Sequence, residues 1–319
     1  MASPSFVNRL FERVRVTIIR WRFHRAVQAI CDTAPLKPGK NPFIALSMVQ
    51  HKDIAAYLVA IKSFAFFLQP EKIVIICDPS ITPEDETLLS QHIPYATLHK
   101  ADVFSHPQLP GGGTCWERLH ALTRYAANNY VVQLDADTVT LGPLPEVEAA
   151  ITYRNGFVLN GYLPGDDDDE PASGIVSIEQ ASHYAHRWPQ QHVQALAEQL
   201  LNQAMLSQHR YVRGCAGFSG FPPDPTLCDQ LVEFSQKMQE RLGLRWSEWG
   251  TEQVASNYLV ANAIGTHLLP QPKYSAPGRT LEDHSFVHFI GACRFINGDY
   301  EKAVRQAIRM ITRPTGIAA

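Results

Sequence analysis

The chain has 319 residues, 45% of them hydrophobic and 18% charged, which suits one large α/β domain and is too apolar for a disordered chain. A formal net charge of -3 provides no basic field to gather nucleic acid, so that class of partner is set aside. Six cysteines are scattered without a CxxC pair or zinc-type spacing, and they are expected as reduced thiols of a cytoplasmic protein.

The first predicted element is a basic amphipathic helix, assigned to residues 1–34. Val7, Leu10, Phe11, Val14, Ile18 and Trp21 fall on one helical stripe, with Arg9, Arg13 and Arg20 opposite. Arg15, Arg22 and Arg25 add charge against Glu12 alone. Two readings stand side by side: peripheral contact of residues 6–30 with the inner face of a membrane, or packing on the domain or a second subunit. No run of about 18 apolar residues is present, and arginines interrupt each apolar stretch near the start, so neither a spanning helix nor a secretory signal is expected. The oligomeric state is not legible.

A breaker-rich linker, Pro35 to Lys40, leads into the unit expected over 41–319, with a donor-binding half at 41–140 and an acceptor-side half at 141–319. Residues 43–49 read as a strand, 53–68 as a helix, and 72–77 as a strand ending at Asp78. Thr82 is expected to cap a helix over 83–92, and 95–98 to form a short strand. Gly111, Gly112 and Gly113 break the chain before a helix capped by Thr114 and running to about 127. Residues 130–134 form the strand that delivers Asp135. This alternation predicts an α/β fold with a Rossmann-like, doubly wound, mostly parallel sheet, in which ligands collect at the carboxyl ends of strands.

The second half is less regular. Strands are expected over 156–162, 214–221 and 286–290, and helices over 180–208, 226–242, 251–263 and 299–312. The acidic run from Asp166 to Glu170 reads as a solvated loop, because five adjacent carboxylates repel one another.

Chemistry concentrates at two places. In Asp135-Ala136-Asp137 the two carboxylates sit at i and i+2, on one side of an extended chain, where a strand leaves the core. Hard divalent ions such as Mn²⁺ or Mg²⁺ take such oxygens together with substrate phosphates. Far downstream, His288, Gly291 and Arg294 place an imidazole, a glycine amide and a cation three residues apart. Those groups suit a metal shell, close approach to a phosphate, and a grip on phosphate oxygens.

These residues resemble the GT-A-fold glycosyltransferases, particularly glycosyltransferase family 8, the group of glycogenin and bacterial lipopolysaccharide galactosyltransferases. Asp135-Ala136-Asp137 is similar to its DxD, and His288 to Arg294 to its HxxGxxK. Trp116-Glu117-Arg118-Leu119 resembles a helix whose arginine contacts the donor, seventeen positions before Asp135. Glu252 to Asn257 resembles the DQDxxN segment. The chain departs by Glu252, Val254 and Arg294 for Asp, Asp and Lys, by Phe295-Ile296 for Pro-Trp, and by Cys215 for an Asn in the strand from Gly214 to Phe218.

The resemblance implies a metal-dependent hexosyltransferase that uses a nucleotide sugar, preferentially UDP-linked, and a glycan or glycolipid acceptor. Asp135, Asp137 and His288 would hold Mn²⁺ or Mg²⁺, with Arg118, Arg294 and Gly291 on the donor. Ser47, Val49 and Asp78 would lie near the base and ribose. Gln253 would face the reacting carbon in a retaining enzyme, the outcome the resemblance favours; Glu252 would be the base in an inverting one. Trp246 and Trp249 are candidates for stacking on a sugar or for the core. A sugar-1-phosphate nucleotidyltransferase is the alternative enzyme, although a basic Gly-rich loop is missing after the first strand. A non-catalytic membrane-associated protein with a transferase-like fold is the third reading.

Overall fold

A basic N-terminal helix rests on a layered α/β body in a computed structural model that describes residues 6–111, 115–161, 174–187, 192–205, 207–275, 281–291 and 294–313. Helix α1 (Phe6–Val27) leads through a 3₁₀ turn to β1 (Asn41–Val49), α2 (Ile54–Leu68) and β2 (Pro70–Cys77). Then come α3 (Pro83–His92), β3 (Thr97–Lys100), α4 (Trp116–Ala126) and β4 (Tyr130–Leu134). The second half runs β5 (Thr138–Thr140), α5 (Pro145–Tyr153), β6 (Phe157–Asn160), β7 (Ile175–Ser177), α6 (Ile178–Ala185), α7 (Val193–Gln199) and α8 (Leu201–Ala204). It continues through β8 (Arg210–Val212), β9 (Gly214–Phe221), α9 (Leu227–Leu242) and α10 (Thr251–Asn262). Short strands β10 (His267–Leu268), β11 (Tyr274–Ser275) and β12 (Phe286–His288) precede the closing helix α11 (Asp299–Thr312).

The main sheet has seven strands in the order β10-β6-β9-β4-β1-β2-β3. Strands β3, β2, β1 and β4 are parallel neighbours, so their carboxyl ends share one edge. Period-2 alternation divides each strand between two cores. Phe43 and Ala45 of β1, with Tyr130, Val132 and Leu134 of β4, join the core beneath α2 and α11. Ile44, Leu46 and Val131 join the core beneath α4, α9 and α10. Burial on both faces is why these strands read as continuous apolar runs. Strand β9 instead runs antiparallel to both β4 and β6, which the sequence pattern did not reveal.

Strands β4 and β9 and helix α11 occupy the expected residues, and Thr82 caps α3 in a reciprocal capping box with Asp85. The helix expected over 180–208 is three short helices, α6, α7 and α8. One of the two interruptions has a cause in the sequence, since Pro189, between α6 and α7 and outside the described residues, lacks the N–H a continuing helix needs. The expected strand over 95–98 is displaced to Thr97–Lys100, in register with β2. Trp246 belongs to the core, fully buried and donating to Ser235 at 3.0 Å, whereas Trp249 is exposed. The Thr114 cap, Gly112, Gly113, Tyr162 and the acidic run 166–170 lie outside the described residues.

Helix α1 packs through its C-terminal third. Phe23, Ala26 and Val27 are buried, Phe23 stacks on Tyr300 of α11 with centroids 4.2 Å apart, and Arg22 pairs with Glu301 at 2.9 Å. Phe11, Val14, Ile18 and Trp21 are not part of this contact and remain exposed.

Candidate metal and donor site

The Asp135–Asp137 segment is held from two sides. Strand β9 accepts the Asp135 N–H through the Gly217 carbonyl at 2.9 Å, and the Asp137 carbonyl accepts from the Phe289 N–H at 2.9 Å. The second contact extends the antiparallel pairing of β5 with β12, which sets His288 opposite Thr138. A separation of 151 residues is thus closed by a three-residue strand pair. His288 Nε2 stands 3.0 Å from Asp137 and 3.7 Å from Asp135. The ligand-type atoms of all three residues lie within 4.8 Å of one another.

Two arginines bracket the cluster. Arg118, on the first turn of α4, pairs with Asp135. Arg294 grips one Asp137 oxygen through Nη2 at 2.7 Å and Nε at 3.0 Å, and reaches Asp53 through Nη1 at 3.2 Å. Burial alone would raise the Asp137 carboxyl, but His288 and Arg294 outweigh it and hold the group well below the usual carboxylate range. For His288 burial opposes charge, while Cys215, 3.1 Å from Nδ1, and Asp137 favour it; the imidazole is held well above its ordinary value.

The donor set fits a hard divalent cation: two carboxylates and an imidazole nitrogen, with room for phosphate oxygens. Gly217 is the residue that makes the space. A Cβ built there would stand 2.6 Å from His288 Nδ1 and 2.8 Å from Asp135 Oδ2. Charge balance sharpens the point. Arg118, Arg294 and the charged His288 balance Asp135, Asp137 and Asp53 here, so a divalent cation alone, even with loss of the His288 proton, would leave the buried site with excess positive charge. A cation entering with a diphosphate adds nearly equal and opposite charges. The arrangement therefore favours the two together over either one.

The N-termini of α4 and α10 are tied by a tryptophan. Trp116 Nε1 donates to Thr251 Oγ1 at 3.2 Å, and that hydroxyl donates to the Trp246 carbonyl at 2.7 Å. Cys115, just before α4, takes a left-handed φ of 68°, a conformation that costs a non-glycine residue. This brings Arg118 and Glu252 into one electrostatic environment. Burial pushes the Glu252 carboxyl up to about 7 against the opposing pull of Arg118, and Gly250 N–H donates to it at 3.0 Å.

That shift has a measurable consequence. Because its folded pKa lies above the unfolded 4.5, Glu252 makes the folded state bind more protons between pH 4.5 and about 7. Stability is then highest below that window and falls as pH rises through it, by an amount on the order of 3 kcal/mol. Glu252→Gln is expected to remove this slope. Thermal melts of the metal-free protein should show the variant gaining on the parent at pH 8 relative to pH 4; parallel curves would contradict the assignment.

The remaining predicted residues are dispersed around this centre. Gln253 is half-buried one residue beyond Glu252 on α10. Gly291 is exposed, and a Cβ there would meet nothing within 4 Å among the described residues, so their packing does not demand a glycine. Ser47 and Val49 are fully buried in β1, side chain and backbone alike. Asp78 follows β2, half-buried, with its N–H donating to the Val49 carbonyl at 3.0 Å.

Beside Arg294 a cavity of about 320 Å³ is walled by Lys52, Asp53 and Phe295 and, from α1, by Arg20, Phe23 and His24. A larger cavity of about 810 Å³ lies at the amino ends of β1 and β4 and is lined by none of these predicted residues. The sequence reading missed Asp53 and Gly217. Gly217 carried a signal, lying in the strand already compared with a family motif; Asp53 carried none.

No protein-family model matches the chain, and no curated protein matches it. Among solved structures it is similar to the apo form of the bifunctional glycosyltransferase WbbM, with a TM-score of 0.50 and 13% identity over 87% of this chain. The match takes in 53% of that structure, so the chain spans about half its length. An active-site mutant of LgtC aligns with a TM-score of 0.49 and 11% identity, over 82% of this chain and 95% of that one. The architecture is the GT-A fold.

Proposed function

We propose that the chain is a metal-dependent glycosyltransferase that moves a hexose from a nucleotide diphosphate sugar, UDP-linked, to a hydroxyl of a glycan or glycolipid. One observation carries this reading. Asp135, Asp137 and His288 converge between Arg118 and Arg294 at the carboxyl edge of the parallel strands of a GT-A fold. A bound Mn²⁺ or Mg²⁺ supplies positive charge that offsets the negative charge growing on the departing diphosphate.

The protein's own groups do the rest. Arg294 and Arg118 exchange their carboxylate partners for diphosphate oxygens, so the cations that neutralise the metal-free site become those that grip the donor. The Gly291 amide, free of side-chain obstruction, lets a phosphate approach the backbone. Asp78 offers its carboxylate to the base and ribose subsite, and the buried Ser47 and Val49 of β1 support that subsite from beneath, Val49 through its carbonyl on the Asp78 N–H. The body and α1 together wall the cavity beside Arg294 and shield the leaving group from water.

Stereochemistry divides Gln253 from Glu252. With retention, Gln253 supports the oxocarbenium-like reacting face. A second reading, inversion, is favoured by Glu252: a carboxyl pushed to about 7 suits a base that takes the proton of the acceptor hydroxyl. Incubation with Mn²⁺ and a panel of nucleotide sugars is expected to release a nucleoside diphosphate, and NMR of the product anomer separates retention from inversion. Release of pyrophosphate from a nucleoside triphosphate and a sugar phosphate would instead indicate the nucleotidyltransferase. No turnover with any donor would contradict both readings.

A further inference from the structure

Helix α1 uses one face to pack and leaves another open. Phe23 and Val27, together with Ala26, face the body, whereas Phe11, Val14, Ile18 and Trp21 are 70%, 49%, 52% and 59% exposed. Their spacing by three and four residues makes one continuous stripe on the side turned away from α11 and α2. Four large apolar side chains in solvent on one helix are more than scattered surface hydrophobics require. Arginines outnumber carboxylates along the helix, and Arg25 lies within the stripe, over the Trp21 ring at 5.7 Å. Glu12 pairs with Arg15 at 2.7 Å and Glu301 with Arg22 at 2.9 Å. Among the described residues Arg13, Arg20 and Arg25 have no carboxylate partner.

We infer that α1 docks the protein on an anionic membrane surface, with Phe11, Val14, Ile18 and Trp21 in the interface and Arg15, Arg22 and Arg25, each four residues beyond a stripe residue, toward lipid headgroups. Charge complementarity selects this occupant over a second copy of the chain. Two α1 helices meeting through this stripe would bring together two segments in which arginines far outnumber Glu12, whereas acidic headgroups neutralise that charge. Trp21 and Phe11 suit the depth at which amphipathic rings settle between headgroups and acyl chains. No helix among the described residues is long and apolar enough to cross a membrane, so the contact is one of surface docking. Because α1 also walls the cavity beside Arg294, docking sets that cavity close to the lipid surface.

The test is co-sedimentation of the full chain with vesicles of phosphatidylcholine containing phosphatidylglycerol, against vesicles of phosphatidylcholine alone. Binding to the anionic vesicles is expected, weakened at high salt. Phe11→Ser with Trp21→Ser should reduce it by about tenfold or more, and Arg15→Gln with Arg25→Gln by a comparable factor. All four side chains are exposed, so unchanged circular dichroism should accompany the loss. Equal binding by parent and variants, no binding to anionic vesicles, or self-association through the stripe without vesicle binding would overturn the inference. Vesicle binding needs no turnover, so its failure and that of the transferase reading are separate results.

Discussion

Asp137→Asn lowers metal-dependent release of nucleoside diphosphate by about two to four orders of magnitude. The estimate follows from the several kcal/mol that a metal ion supplies to a transition state gathering charge, at about 1.4 kcal/mol for each factor of ten. Asparagine keeps the shape and removes the charge. It strips one metal oxygen and unpairs Arg294 and His288, both of which hold Asp137 directly in the metal-free protein. Unpairing buried partners also destabilises the fold, by about 3 kcal/mol for a pair of this kind. Circular dichroism at the assay temperature therefore accompanies the rate measurement. A folded variant with undiminished turnover would exclude the cluster from the reaction.

Gly217→Ala has an effect of similar size through sterics alone. The added methyl group occupies the space between His288 Nδ1, 2.6 Å away, and Asp135 Oδ2, 2.8 Å away. Neither neighbour yields easily: His288 is fixed by β12 and by Asp137, and Asp135 by Arg118. Overpacking of this kind costs about 1–3 kcal/mol of stability. The larger effect falls on the metal, whose ligands cannot converge once the imidazole is displaced, and Mn²⁺ affinity is expected to drop at least about tenfold. Gly291→Ala is the control. Its methyl group meets no atom of the described residues within 4 Å, so the metal-free protein should melt unchanged while donor KM rises. Equal Mn²⁺ affinity in the parent and Gly217→Ala would contradict the proposed geometry.

How much of this was legible beforehand depends on the range over which each signal acts. The half from β1 to β4 is readable because its strands are buried on both faces and its helices carry local caps, so apolar runs and breakers mark the boundaries. Asp135, Asp137 and His288 were identifiable as residue types with metal chemistry, yet nothing local shows that a strand pair closes the interval between them. The antiparallel course of β9 is invisible for the same reason: direction is a tertiary property, while burial of both faces leaves one pattern either way. Asp53 escaped notice as one carboxylate before a helix, and only folding sets it against Arg294. The helical stripe of α1 was read correctly as apolar, but the packing surface is a different face, set by Phe23 and Val27.

The most direct test of the central claim is a titration of Mn²⁺ followed by electron paramagnetic resonance, with and without UDP. Arg118, Arg294 and the charged His288 already balance Asp135, Asp137 and Asp53, so metal and diphosphate are expected to strengthen one another's binding. Saturable loss of the free Mn²⁺ signal, tightened by UDP, stronger at pH 8 than at pH 6 because His288 must shed its proton, and abolished in Asp137→Asn, is the expected result. A free-ion signal unchanged by the protein, or bound equally by parent and Asp137→Asn whether or not UDP is present, would contradict it.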